Sequence, residues 1–340
     1  MIDPAAKVRV GRSRVEVCRL GFGSAPLGGL LRATSDDDAR AAVGTAWKAG
    51  LRYFDAAPQY GGGLAEQRLG RALGRVARDK FAISTKVGKI VHPKEGEPPQ
   101  AVGFIGAPAH TIEYDYSYAG VQRSLLASLE RLGLDRVDIL FIHDVNRKYH
   151  GDRVHERLEE AIAGACRALA ALRDQGVIGA FGPATKDVDI ACAFVERVDV
   201  DCVMLPARLT LLDQSACDAL VPLCAQRGTS ILAAAPFDSG ILATGAVAGA
   251  TYDYAPATAE VLDRVRAIED VCKSFDIPLP AAALQFPLRC PSVASVVAGM
   301  RSAREVETNM SLLRMEIPEE FWCELTRKQL VRDCRNRAGD

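Results

Sequence analysis

The chain lacks the features that mark several large classes of protein. No block of consecutive lysines and arginines occurs, and the formal net charge is −1. Without a basic stripe there is nothing to neutralise a phosphate backbone or to grip an anionic membrane, so nucleic acid and membrane are excluded as main partners. Long apolar runs are missing too: "SILAAAPF" (230–237) is among the longest, far short of the ~20 residues a bilayer-spanning helix needs. The opening stretch, "MIDPAAKVRVGRSRVEV", has no apolar core of a secretory signal, which points to a cytoplasmic location and reducing surroundings. Ten cysteines are scattered singly, with no C-x-x-C pair and no histidine cluster. They are expected to be reduced, mostly buried packing residues, and no metal site is readable.

What the chain does have is regular alternation. Eight short apolar runs read as strands: 18–23, 53–56, 81–86, 137–143, 177–182, 201–206, 230–235 and 293–298. They are continuous rather than alternating, which suits a parallel sheet covered on both faces. Helical periodicity fills the gaps, with Val121, Leu125, Leu129 and Leu132 on one face and Leu158, Ile162, Ala165, Leu169 and Leu172 on another. "TSDDDARAAVGTAWKAG" (34–50) opens with a capping hydroxyl and acids and closes at a glycine. Eight strand–helix units predict an α/β fold, a (β/α)8 TIM barrel, formed as one domain over residues 1–340. Ahead of it, "VRVGRSRVEV" reads as a β-hairpin plugging the barrel bottom, and 318–334 reads as an extra C-terminal helix. Two connections, 88–118 and about 237–257, are longer than ordinary loops and carry "EYDYSY" and "TYDY"; they are expected to roof a substrate pocket.

"GFGSAP" (21–26) begins like a dinucleotide fingerprint, but Pro26 stands where the third glycine belongs and the next helix opens with Asp36, Asp37 and Asp38. Three carboxylates there would repel a pyrophosphate, so a Rossmann site is excluded.

In a barrel of this type the chemistry sits at the C-terminal ends of the strands. Asp55 ends the second strand, Lys86 the third and His143 the fourth, while Tyr60 follows in "YFDAAPQYGGG" (53–63). A buried lysine is costly alone and compensated beside an aspartate. A phenol beside Lys86 is expected to be more acidic than usual, which would make Tyr60 a proton donor or acceptor near neutral pH. His143 can hydrogen-bond the reacting oxygen.

"YFDAAPQYG", "STKVG" (84–88), "SLERLGLDRVD" (128–138) and "RVDILFIHD" (136–144) closely resemble the aldo-keto reductase family over nearly the whole chain. The resemblance implies a catalytic tetrad of Asp55, Tyr60, Lys86 and His143 and an extended NAD(H) or NADP(H). Segments 114–124 and 211–224 resemble the branch holding sugar 1-dehydrogenases of the D-threo-aldose (L-fucose) type and pyridoxal 4-dehydrogenase. It implies a small-molecule substrate, an aldose oxidised at C1 to a lactone, with pyridoxal oxidation or general aldehyde and ketone reduction as alternatives. A cofactor-binding regulatory protein with little turnover is the alternative of another class.

The same resemblance implies cofactor contacts from Gly23, Ser24, Thr185 and Leu209, and from Pro236, Phe237, Asp238, Ser239 and Ile241 in the pyrophosphate-clasping loop. Gly299, Arg301, Glu305 and Asn309 complete the set. The chain departs from the family pattern at several of these positions. Thr185 and Lys186 replace a Ser-Asn pair, Leu209 replaces the tyrosine that stacks on nicotinamide, and Ala56 replaces a threonine. Glu305 stands where NADP-preferring members place an arginine, so NAD is the expected cofactor, although Arg301 and Arg304 lie close by.

Overall fold

The structure is a computed structural model that describes residues 1–96 and 103–335; residues 97–102 of the first long connection and 336–340 lie outside the described residues. A short hairpin, β1 (Lys7–Arg9) and β2 (Glu16–Cys18), comes first. It is antiparallel and sits under the strand N-termini: Gly11 N donates to Ser230 Oγ at 2.7 Å, and Val15 packs against Gly179. The predicted plug is therefore present.

The barrel strands are β3 (Leu20–Gly23), β4 (Tyr53–Asp55), β5 (Ala82–Val87), β8 (Ile139–His143), β9 (Ala180–Ala184), β10 (Cys202–Pro206), β11 (Ser230–Ala234) and β14 (Val293–Gly299). They close in the order β3-β4-β5-β8-β9-β10-β11-β14, with every neighbouring pair parallel. β4, β5, β8 and β9 are buried at every residue, because helices cover the outer face and side chains fill the inner one. Each Leu, Ile, Val or Phe so buried contributes roughly 1.5–3 kcal/mol.

The helices follow the sequence pattern with one difference, and one barrel strand is shifted. Ser35 caps Asp36–Lys48 by accepting the Asp38 N–H, and Ser117 caps Tyr118–Leu132. The single helix expected over 156–174 is instead Val154–Glu160 and Arg167–Asp174 joined by a π-turn at Ala161–Cys166. Gly164 lies in that turn, where a Cβ would come within 2.5 Å of the Tyr116 carbonyl oxygen. The fifth barrel strand, expected at 177–182, runs from Ala180 to Ala184 and contains Pro183. Glycine and proline read as punctuation there, but Gly182 serves close packing of neighbouring strands. The C-terminal helix is Glu319–Arg327, seated by buried Phe321, Trp322 and Leu325.

The long connections are not plain loops. The first carries the antiparallel hairpin β6 (Lys89–Pro93) and β7 (His110–Tyr114), and the second the small hairpin β12 (Thr251–Tyr252) and β13 (Ala255–Pro256). One cysteine expectation is corrected as well. Cys217 and Cys334 form a disulfide across a separation of 117 residues, their Cα atoms 5.8 Å apart. No local spacing signals a bridge between residues so distant in sequence. Of the other eight cysteines six are buried, as expected of packing thiols. No helix among the described residues is long and apolar enough to cross a membrane.

At Gly182 an added Cβ would fall 1.6 Å from the Cys202 carbonyl oxygen, backbone that cannot swing aside. Gly182→Ala is expected to cost at least ~2 kcal/mol by forcing β9 from β10. Chemical denaturation measures it, and an unchanged midpoint would mean that the two strands separate freely.

Candidate active site

Backbone register brings the ionisable groups together. Asp55 is paired across the ladder with Ser84, and Lys86, two residues further along β5, reaches back to it. Lys86 Nζ donates to both Asp55 carboxylate oxygens and to the Ala56 carbonyl oxygen, each at 2.8 Å. Both side chains are almost fully buried, so this ion pair is stable only because all three ammonium protons are used. Ser84 Oγ also donates to Asp55 at 2.7 Å, and the Tyr53 hydroxyl lies 3.0 Å from that Oγ. Burial pushes the Asp55 carboxyl up, while Lys86 and Ser84 pull it down.

Tyr60 is placed by the glycines that follow it. Gly61, Gly62 and Gly63 have φ of 65°, 60° and 94°, the left-handed region that glycine enters without strain. The turn packs on Gly28, where a Cβ would sit 2.6 Å from the Tyr60 carbonyl carbon. The Tyr60 ring lies 4.8 Å from Lys86 Nζ, at 6.3 Å edge-on to His143, and 6.1 Å from Phe104. Phe104 belongs to the first long connection, which thus reaches over this tyrosine.

One electrostatic expectation is overturned. The Tyr60 phenol is pushed well above its ordinary value, first by burial and then by the Asp55 carboxylate. Lys86 does not counter this, because its protons point to Asp55 and Ala56. Tyr60 is accordingly a neutral phenol. His143 is uncharged too: burial drives its imidazole well below the usual range, against a smaller pull from Asp144.

The residues expected to meet a cofactor occupy the rest of the rim. The tetrad comes from β4, β5 and β8, which are consecutive in the barrel; the other set follows β9, β10, β11, β14 and β3, also consecutive. Ser24 is buried, with its Oγ unpaired among the described residues and available to a bound polar group. Gly23 and Gly299 are adjacent through the β3–β14 ladder. Residues 235–241 form a strained turn, with φ of 53° at Ala235, 45° at Asp238 and 62° at Ser239, leading into the short helix Ile241–Thr244. This turn is fastened to the small hairpin: the Thr251 hydroxyl donates to the Ser239 carbonyl oxygen at 3.0 Å, and the Tyr254 N–H to Ser239 Oγ at 3.0 Å. An unpaired buried hydroxyl, close-packed glycines and a strained turn on one arc are compatible with an extended dinucleotide there.

Several of the set are engaged within the protein. Thr185 Oγ1 donates to the Val145 carbonyl oxygen at 2.9 Å, and Leu209 is buried. Lys186 is ion-paired with Asp253 on the small hairpin. Glu305 accepts the Arg301 N–H at 2.8 Å, and the Arg301 guanidinium donates to the carbonyls of Leu30 and Arg32. Asn309 is buried.

The sequence reading missed a second ionic group beside the first. Lys89 is buried and donates to Gln59 Oε1 and Asp144 Oδ2, both at 2.5 Å, with the Tyr149 ring 3.7 Å away. The available signal was its position three residues after Lys86 in "STKVGK", but a second lysine after a strand ordinarily reads as solvated.

A closed parallel barrel with a lysine–aspartate pair, a tyrosine and a histidine on its C-terminal rim defines a class of barrel oxidoreductase. The profile of the Aldo/keto reductase family matches residues 19–329, and the chain belongs to that family. Its members use NAD(H) or NADP(H), and the chain is an oxidoreductase of this kind. It is 39% identical over 317 residues to a D-threo-aldose 1-dehydrogenase from Pseudomonas sp, covering 92% of this chain and 94% of that one. A pyridoxal 4-dehydrogenase from Microbacterium luteolum is 38% identical over 341 residues, covering 97% and 99%. An L-galactose dehydrogenase from Arabidopsis thaliana is 30% identical over 307 residues, covering 89% and 86%. Among solved structures, a holo-form aldo-keto reductase from Bacillus halodurans aligns with a TM-score of 0.75 over 98% of this chain and 99% of that one, at 23% identity, which speaks for the fold.

Asp238 gives this region a pH dependence. It is buried, it accepts a hydrogen bond from Thr210 Oγ1 at 2.5 Å, and burial pushes its carboxyl up to about 7. Because the folded value lies above the unfolded one, the contribution is full below pH ~4 and is lost as pH rises towards 7. Asp238→Asn, tolerated at positive φ, should remove that decline. Urea midpoints for both proteins from pH 4 to 8 test it: parallel curves would show that the carboxyl titrates as though exposed.

Proposed function

We propose that the chain oxidises the C1 hydroxyl of a cyclic aldose of the D-threo (L-fucose) type to the lactone, with NAD as the preferred acceptor. Support for oxidoreductase chemistry comes from the assembly of Asp55, Tyr60, Lys86 and His143 on one arc of the rim. Support for a sugar comes from the similarity to two enzymes named for sugar oxidation, D-threo-aldose 1-dehydrogenase and L-galactose dehydrogenase. Pyridoxal is the second substrate to test, because the pyridoxal 4-dehydrogenase is nearly as similar.

In this reading the nicotinamide, when bound, supplies the acceptor for the hydride leaving C1. The protein's part is to position the substrate and to handle the proton. His143, an uncharged ring, donates a hydrogen bond to the anomeric oxygen and holds it against Tyr60. Tyr60 Oη receives the hydroxyl proton. Lys86, fixed by Asp55, places an ammonium beside the Tyr60 ring, so negative charge forming on the phenol oxygen is stabilised. Because the resting phenol is neutral, it must release its own proton before accepting one in the oxidative direction. Oxidation is therefore expected to rise with pH up to at least 9, while carbonyl reduction, which uses the neutral phenol as proton donor, is expected to stay level over that range.

NAD preference rests on Glu305 and on the bonds that hold Arg301. A 2′-phosphate carries nearly two negative charges and would meet a carboxylate; ribose hydroxyls would meet an acceptor. The Arg301 guanidinium is occupied by two carbonyls and by Glu305 at 3.6 Å, which withdraws it from such a phosphate. Exposed Arg304 and Arg32 are the other guanidinium groups close by.

Tyr60→Phe should retain the fold and cofactor binding while lowering kcat by ~10²–10⁴. Lys86→Met should also abolish turnover, and should cost ~3–5 kcal/mol by stranding Asp55. A dehydrogenase screen over aldoses, pyridoxal and simple aldehydes with both cofactors tests the substrate. Turnover of aromatic aldehydes alone, with reduced cofactor, would refute the sugar reading. NAD⁺ is expected to exceed NADP⁺ by at least about tenfold in kcat/KM, a difference of ~1.4 kcal/mol; equal efficiencies would refute the role of Glu305.

A further inference from the structure

The second buried ion pair is enclosed by its neighbours. Lys89 spends its protons on Gln59 and Asp144 and rests its remaining face on Tyr149, with the Tyr114 ring 5.5 Å away. Asp144 Oδ1 accepts from Asn146 Nδ2 at 3.0 Å, and the Asp144 N–H donates to the Ala184 carbonyl oxygen at 2.8 Å. Asp144 takes a φ of 56°, so its side chain is turned out of the strand path that His143 ends. The third ammonium proton meets the Tyr149 ring rather than a polar acceptor. The neighbour the pair acts on is His143: Asp144 Oδ2 lies 3.4 Å from its Nε2.

A neutral imidazole carries one proton, on one of two nitrogens. His143 Nδ1 is buried and has no hydrogen-bond partner among the described residues. A proton there would be a buried donor with nothing to receive it, at a cost of ~1–3 kcal/mol. A proton on Nε2 lies in the field of the Asp144 carboxylate 3.4 Å away without being hydrogen-bonded to it, so it is favoured there by charge and stays free for the reacting oxygen. An isolated carboxylate in that place would, however, draw a second proton onto the ring. Lys89 offsets its charge.

We propose that Lys89 and Asp144 are positioning residues for His143: the carboxylate fixes the ring proton on Nε2, and the ammonium offsets the carboxylate so that the ring stays an uncharged donor. The proposal rests on the reading of His143 as the group that hydrogen-bonds the reacting oxygen. The charged and titratable groups around the ring are Asp144 just beyond β8, Lys86 on β5, Lys89 on β6 and the Tyr60 phenol after β4. Tyr116, after β7, donates to the His143 carbonyl oxygen at 2.9 Å and so fixes the backbone rather than the ring. Both lysines push the imidazole towards neutrality; only Asp144 opposes them.

Nitrogen-15 NMR of histidine-labelled, ligand-free protein tests this without any turnover. The wild type should show His143 as the Nε2–H form, uncharged down to pH 5; an Nδ1–H ring would overturn the proposal. Lys89→Met should raise the imidazolium fraction at pH 6 by about tenfold, the effect of one pKa unit. Lys89→Met with Asp144→Asn, an asparagine being tolerated at positive φ, should return it to the wild-type value. Should Lys89→Met fail to fold, Lys89→Gln removes the charge while keeping a hydrogen bond to Asp144, and the same rise is expected. A ring that stays uncharged in the single variant would refute the role of Lys89. Absence of sugar oxidation would sink the substrate reading and leave these spectra unchanged, so the two failures are distinguishable.

Discussion

The rest of the site depends on the burial of Lys86 against Asp55. An ammonium taken from water into a barrel loses several kcal/mol of hydration, and the loss is recovered only if every proton finds an acceptor. Here the two carboxylate oxygens and the Ala56 carbonyl supply three, all at 2.8 Å. That geometry requires β4 and β5 to be in the observed register, with Asp55 opposite Ser84. A slip by one residue would turn Lys86 to the other face of the sheet. The ion pair and the strand alignment therefore specify each other.

The same saturation decides the character of the neighbouring groups. With its protons committed, Lys86 acts on Tyr60 through its field rather than by a hydrogen bond, and the buried phenol stays protonated. Lys89 and Asp144 repeat the arrangement one step along the rim, on β6 and just beyond β8. Two compensated pairs thus flank a neutral tyrosine and a neutral histidine. The two pairs cancel their own charges, so a proton can be handled between them without a net charge from either.

The division of the rim into two arcs follows from strand order alone. Three consecutive strands carry the tetrad, and the five that close the barrel carry the glycines, the strained turn and Glu305. Ligands bound on the two arcs would meet at the barrel axis. The hairpins in the long connections add to this: Phe104 approaches Tyr60, and the small hairpin is tied to Ser239 and, through Asp253, to Lys186.

The sequence by itself determined the barrel, the plug, the C-terminal helix and the positions of Asp55, Lys86 and His143, because these rest on local signals. Continuous apolar runs mark buried parallel strands, and a strand end is visible as the place where an ionisable residue interrupts the run. The fifth strand reads three residues too early, at 177–182 instead of Ala180–Ala184, because Gly182 and Pro183 look like a turn when only the chain is seen; close contact with Cys202 is what gives Gly182 its place. The Cys217–Cys334 bridge, the hairpins in the long connections and the Lys89–Asp144 pair belong to the tertiary structure alone. So does the protonation of Tyr60: the convergence of neighbouring strand ends on Lys86 suggested a more acidic phenol, whereas burial and the prior claim of Asp55 on that lysine reversed the sign. Local sequence encodes which residues reach the rim. How charged each one is depends on who else is buried beside it, and that is fixed only when the barrel closes.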